Sequence, residues 1–147
     1  MISEPVLSVD EVQDFLTHQF PQVAEDYVVE AVGPMTARIR VVPGKRHVRP
    51  GGTVSGPTMF ALADCAVYLA IIAHVGPEAL AVTTNASIDF MRKPEAGVPI
   101  TADVHLLKLG RGLAVGDVRL LSGALLVARA TLTYSRPRGP KMPPGVE

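Results

Sequence analysis

From Thr58 to His74 the chain is apolar on almost every side of a helical wheel, and this stretch constrains the fold more than any other feature. A helix with one apolar stripe can lie on a surface, whereas one that is apolar all round has to be enclosed. Pro57 occupies the first helical position, where a missing amide hydrogen costs nothing, and Gly76-Pro77 ends the segment. A single carboxylate, Asp64, interrupts it, and His74 stands at its end. At about 1.5 Å per residue, the run from Met59 to Val75 falls short of a hydrocarbon core of about 30 Å. The expectation is a buried core helix and no membrane partner.

Strands have to supply the enclosure. Tyr27 to Val32 alternates, turns at Gly33-Pro34, and continues as Met35, Ala37, Ile39 and Val41 against Thr36, Arg38 and Arg40. After the helix, Thr84, Ala86, Ile88 and Phe90 alternate with Asn85, Ser87 and Asp89. Segments near 99–109, 112–121 and 124–135 follow, separated by glycine turns. Short connections between alternating strands imply hairpins and an antiparallel sheet. Ahead of all this, Ser8-Val9-Asp10-Glu11 has the form of a capping box that opens a short amphipathic helix closed by Pro21. The glycine- and proline-rich stretch 43–56 reads as a loop. The fold class expected is α+β, a sheet packed on one long helix.

With 147 residues the chain has length for one domain, expected over 1–135, with a Pro-rich, disordered tail over 136–147. Fourteen basic residues balance fourteen acidic ones, which argues against a nucleic-acid partner. One cysteine, Cys65, excludes a disulfide framework and a cysteine-rich zinc site, and the four histidines have no ligand spacing, so neither metal nor cofactor is expected. The N-terminal segment lacks the pattern of a signal peptide, so the expected location is cytoplasmic.

The order of elements, together with Gly51-Gly-Thr-Val-Ser-Gly-Pro-Thr-Met-Phe-Ala-Leu-Ala-Asp64, resembles the hotdog-fold thioesterases of the PaaI-like, phenylacetic-acid-pathway group. Three further segments carry the likeness, which runs from about Val28 to Tyr134. They are the strand Thr83 to Pro94, the hairpin Leu109-Gly-Arg-Gly112 and the last strand Val127 to Tyr134. The resemblance implies a sheet wrapped round one central helix, acyl-CoA as substrate and a homotetramer. In the family a histidine-glycine-glycine triplet opens the helix, and a carboxylate follows eight residues after the first glycine. Gly56 and Asp64 match these two positions, while Ser55 replaces the histidine and Pro57 the second glycine. The resemblance implies that the Gly56 amide polarises the thioester carbonyl and that Asp64 acts as base or nucleophile. Tyr68 stands one turn beyond, where related enzymes carry a small hydroxyl residue, and counts as a substrate contact.

The chemistry agrees with those assignments. Free N–H groups at a helix start favour a developing oxyanion, and glycine lets a carbonyl approach the backbone. Burial of Asp64 would raise its pKa toward general-base work. Eight helical residues span about 12 Å, so Gly56 and Asp64 of one chain cannot grip one carbonyl, and the site requires a dimer. Each residue also has a plainer reading. Asp64 could cap a loop amide, Gly56 could simply begin a helix, and Ser55 could serve as an N-cap rather than a thioester contact. Cys65 points about 100° away from Asp64 and reads as core. Asn85 is a candidate substrate contact, and Arg92, Lys93 and Arg111 are candidate partners for coenzyme A phosphates.

The function expected is hydrolysis of an acyl-CoA, aromatic or of short or medium chain, to a carboxylic acid and free CoA. The alternative is a non-catalytic acyl-CoA or acyl-carrier binding protein. An enoyl-CoA hydratase ranks lower, since His74 lies ten residues beyond Asp64.

Overall fold

The computed structural model describes residues 3–44, 47–78 and 80–137. Two short helices, α1 (Val9–Gln19) and α2 (Pro21–Ala24), precede the hairpin β1 (Tyr27–Gly33) and β2 (Thr36–Val41). The loop that follows carries a small ribbon, β3 (Val48–Arg49) with β4 (Thr53–Val54). Then come α3 (Gly56–Val75), β5 (Val82–Phe90), β6 (Ile100–Leu109), β7 (Leu113–Ser122) and β8 (Leu125–Ser135). Six strands form one antiparallel sheet in the order β1-β2-β6-β7-β8-β5. This is the α+β hotdog arrangement that the sequence led us to expect, with four strands after the helix completing the two before it.

The capping box at α1 is formed in both directions, with Ser8 Oγ accepting from Glu11 N–H and Glu11 Oε1 accepting from Ser8 N–H. Strand alternation places Ile100, Ala102, Val104, Ala114, Val118, Leu120, Ala130 and Leu132 on the inner face. α3 lies against that face with every residue from Ala66 to His74 buried. The helix has 20 residues, longer than the apolar run alone suggests, so its length and composition would allow it to cross a membrane. The length argument made from sequence therefore fails, and burial decides instead, since 67% of its most apolar window is enclosed within the fold.

His74 owes its burial to two bonds that one tautomer satisfies. Its Nδ1–H donates to Ala70 O at 2.7 Å, and Nε2 accepts from Met35 N–H at 2.8 Å, tying the β1–β2 turn to the end of α3. Its place in the fold is structural, far from any role beside Asp64. Just beyond β8, Arg136 makes a forked pair with Glu78 at 3.0 and 2.8 Å and donates to Gly110 O. The segment expected to be a loose tail therefore starts from a held residue, and residues 138–147 lie outside those described.

Gly116 on β7 sets how closely the helix can approach the sheet. A Cβ added there would stand 2.8 Å from Val67 Cγ1 and 3.0 Å from Val67 Cγ2. Both groups are in the core, so neither can swing away. Gly116→Ala is expected to destabilise the protein by about 1–3 kcal/mol and lower Tm by several degrees, measured by thermal unfolding. An unchanged Tm would mean that α3 does not pack on β7 this tightly.

Candidate functional site

Asp64 projects half-buried from α3 into a cavity of about 380 Å³, between α1–α2 on one side and the start of β5 with the end of β8 on the other. Its carboxylate is held from the sheet. Oδ1 accepts from Thr83 Oγ1–H at 2.6 Å and from the Tyr134 hydroxyl at 2.7 Å, while Oδ2 takes no hydrogen bond among the described residues. The reading of Asp64 as a cap for a loop amide is not what the structure shows, since both partners are side-chain hydroxyls.

The two hydroxyls meet because of a register shift in β5. Thr83 pairs with Tyr134 and Asn85 with Thr133, so the shift falls at Thr84. Cross-strand partners share a face. Thr83 and Tyr134 therefore face the helix, while Asn85 and Thr133 face away from it.

The wall of this cavity is aromatic. Tyr68 is nearly parallel to Tyr134, with centroids 6.0 Å apart, and meets Phe20 edge-on at 5.7 Å. The Tyr68 hydroxyl is buried without a hydrogen-bond partner among the described residues, and burial pushes its pKa to about 12. The Tyr134 hydroxyl is also pushed up, first by burial, with a bond to Thr83 acting against this and the bond and charge of Asp64 adding to it. Both phenols are neutral donors at physiological pH.

A second cavity, of about 370 Å³, lies at the N-terminus of α3 and is lined by Gly56, Phe90, Met91, Arg49, Arg92 and Lys93. Ser55 is the N-cap of the helix, its Oγ accepting from Thr58 N–H at 3.3 Å and lying 2.8 Å from Thr58 Oγ1. Pro57 has no N–H, and the Met59 N–H bonds to Ser55 O. At this helix start only the Gly56 N–H makes no hydrogen bond among the described residues. The Phe90 ring stands 3.5 Å from where a Gly56 Cβ would be, so it packs against the glycine.

The expected residues fall into two groups. Asp64 and Tyr68 share one cavity, and Gly56, Arg92 and Lys93 share the other, with Ser55 beside it as a cap. Two of the expected residues lie outside both cavities of the single chain: Asn85 is exposed on the far face of the sheet, and Arg111 is exposed in the β6–β7 turn. Three residues were not singled out from sequence. Thr83 and Tyr134 are at strand positions that read as ordinary alternation, and Arg49 is a basic residue in a stretch read only as loop. Among the described residues no group of histidine, cysteine and carboxylate side chains is arranged to hold a metal.

Cys65 borders the first cavity, yet its thiol is pushed to about 12 by burial and secondarily by the Asp64 charge. A raised thiol pKa means that the nucleophilic thiolate is about 10⁻⁴ of the population at pH 8 and grows about tenfold per pH unit above it. Alkylation by iodoacetamide should therefore be very slow at pH 8 and climb with that slope to pH 10. A plateau below pH 9 would contradict the assignment.

The family model of the thioesterase superfamily matches residues 51–136, which include the helix start, Asp64, Thr83, the Phe90–Lys93 segment and Tyr134. The chain is 51% identical to a thioesterase candidate from Silicibacter sp. TM1040, covering 92% of this chain and 96% of that one with a TM-score of 0.86. It is 30% identical to the phenylacetic acid degradation protein PaaI of Thermus thermophilus, solved as a point mutant, over 79% of this chain and 98% of that one, with a TM-score of 0.70. An esterase candidate of Pseudomonas aeruginosa is 30% identical over 93 residues, 63% of this chain and 69% of that protein. Fold, helix start and matched span agree, and the chain belongs to the thioesterase superfamily.

Proposed function

We propose that this protein hydrolyses acyl-CoA thioesters at sites shared between two copies of the chain. The observation that carries the reading is the free Gly56 N–H at the start of a helix whose only internal carboxylate, Asp64, presents an unbonded Oδ2 to a cavity. Within one chain these two groups lie in separate cavities, as eight residues of helix require.

β5 supplies the means of joining them. It is an edge strand, and Val82, Phe90 and Met91 leave 55%, 50% and 45% of their surface exposed. Such an edge is a template for pairing. Val82 and Thr83 border the Asp64 cavity, and Phe90 and Met91 border the Gly56 cavity. When two β5 strands pair antiparallel about a two-fold axis, the start of one lies beside the end of the other. Asp64 of one protomer then approaches Gly56 of its partner, twice per dimer. A further pairing of dimers into a tetramer is consistent with the family resemblance.

In this reading the thioester carbonyl oxygen accepts from the Gly56 N–H, aided by the positive end of α3. Asp64 either takes a proton from an attacking water or attacks the carbonyl carbon itself, expelling the CoA thiolate and forming an anhydride that water then hydrolyses to the acid, the released proton going to the thiolate. In the water route the proton held by Asp64 then passes to the departing thiolate, leaving a carboxylic acid and free CoA. The acyl group occupies the aromatic-walled cavity, with Tyr68 in its wall. Arg49, Arg92 and Lys93 suit the phosphates of CoA. Arg92 is directed by a bond to Leu126 O at 2.6 Å.

The second reading, binding without hydrolysis, draws on Ser55. The residue that stands where the family has histidine is engaged as a helix cap through its hydroxyl oxygen, and it carries no imidazole to offer a thioester. Thiol release from a panel of short, medium, long and aromatic acyl-CoAs separates the two. Turnover is expected, and Asp64→Ala should lower it by about 10²–10⁴-fold. Binding without release by the wild type would select the binder. A second experiment checks the shared site. Asp64→Ala and Gly56→Val should each be inactive, whereas refolding them together should restore about a quarter of wild-type activity, because half the dimers are mixed and each has one intact site. No restoration would place Asp64 and Gly56 in the same protomer's site.

A further inference from the structure

We infer that Tyr134 is a positioning residue for Asp64, fixing which carboxylate oxygen faces the substrate. The inference rests on the proposed hydrolysis and adds a residue to it that acts through Asp64, its ring bordering the cavity while its hydroxyl is directed at the carboxylate.

The Tyr134 hydroxyl lies 2.7 Å from Asp64 Oδ1 and 2.8 Å from the main-chain carbonyl oxygen of the same residue. One O–H proton shared between these acceptors ties the carboxylate to its own backbone. An aspartate has two side-chain torsions, and the contact closes a ring across both. Thr83 adds a second donor to Oδ1 at 2.6 Å. With Oδ1 so occupied, the lone pairs available to a water or a carbonyl carbon are those of Oδ2. Tyr134 is itself held rigidly. It is buried at 4% exposure, is paired on both sides, with Thr83 of β5 and Ala114 of β7, and stacks on Tyr68. Burial keeps the phenol protonated, so the donor is present at every pH at which the protein would work.

A merely structural tyrosine would need only the ring. The bond goes instead to the one carboxylate of the core helix, and a positioned base loses efficiency steeply when its geometry loosens. Replacing the hydroxyl by hydrogen keeps the ring and its stacking, so Tyr134→Phe isolates the bond.

The test compares the wild type, Tyr134→Phe, Asp64→Asn and Val118→Ala, the last loosening the core away from either cavity. Tyr134→Phe should lower kcat for the best acyl-CoA by about 10–100-fold, with KM within about twofold of wild type. Val118→Ala should leave both constants near wild type. A kcat near wild type in Tyr134→Phe would overturn the inference. So would a higher KM at unchanged kcat, which would make Tyr134 a substrate contact, or an equal loss in Val118→Ala, which would make the effect one of stability. Turnover that persists in Asp64→Asn would overturn the hydrolysis mechanism itself, a failure visible without Tyr134→Phe. Crystal structures of wild type and Tyr134→Phe give a readout independent of turnover. The Asp64 carboxylate should keep one orientation in the first and adopt several in the second, and a single unchanged orientation in both would overturn the inference.

Discussion

The rest of the molecule follows from one constraint, the enclosure of α3. A helix that is apolar on nearly all sides has to lose water on nearly all sides, and one curved sheet with a short helix laid over the remainder is the smallest structure that does this. The demand is met residue by residue. Gly116 lets Val67 reach the sheet, His74 ties the far end of the helix to the β1–β2 turn, and the N-terminal segment bonds to Ala73 O through Val6 N–H and Leu7 N–H. What the sheet leaves uncovered is the first half of the helix, where Pro57 and Ala61 are exposed and Asp64 and Cys65 half-buried. The chemistry-bearing residues gather where enclosure by one chain stops.

A carboxylate in that position has to be satisfied, and the manner of its satisfaction has consequences. A bidentate arginine would have formed an ion pair and occupied both oxygens. Two neutral hydroxyls hold one oxygen and leave the other unbonded. The sheet end that supplies them is also the end of the free edge of β5, so the satisfied carboxylate and the unpaired strand are neighbours by construction. Partner surface and reactive group are therefore linked, and a dimer through β5 would seal the cavity in which Asp64 stands.

Much of this was legible in the sequence because periodicity is a local property. The capping box at Ser8, the bounds of α3 and the hairpin strands all follow from spacing and turn residues within one element. The candidate site was legible chiefly where it lies on the helix, where Gly56 and Asp64 are separated by a fixed rise per residue, and in the basic pair Arg92-Lys93 that follows β5. Asn85 stands on the polar face that its alternation indicates, but a single register shift at Thr84 inverts the faces of β5 on either side of it and turns Thr83 inward, and no feature of Thr83-Thr84-Asn85 marks the shift. Thr83 and its partner Tyr134 were missed for that reason. Their importance comes from cross-strand pairing over 51 residues of sequence, which follows from the pairing register and not from spacing. The length argument for α3 went wrong because it counted the apolar run and not the turn before it, and burial is a tertiary fact.

The substitutions at the helix start also have a physical reading once the hydrogen bonds are in place. An α-helix begins with several N–H groups lacking internal partners. Here Pro57 removes one outright, and Ser55 takes up that of Thr58 while its main-chain oxygen takes that of Met59. The departures from the family triplet therefore subtract donors around Gly56 without touching the Gly56 N–H. A second donor at residue 57 is lost, so an oxyanion would rest on one backbone bond and the helix field rather than on two backbone bonds. In the proposed mechanism that would weaken charge stabilisation at the carbonyl and shift the burden to the partner's base. A carboxylate with one oxygen fixed by two hydroxyls is what such a division of labour would call for, so the sparse donors at Gly56 and the held carboxylate at Asp64 would be two sides of one arrangement.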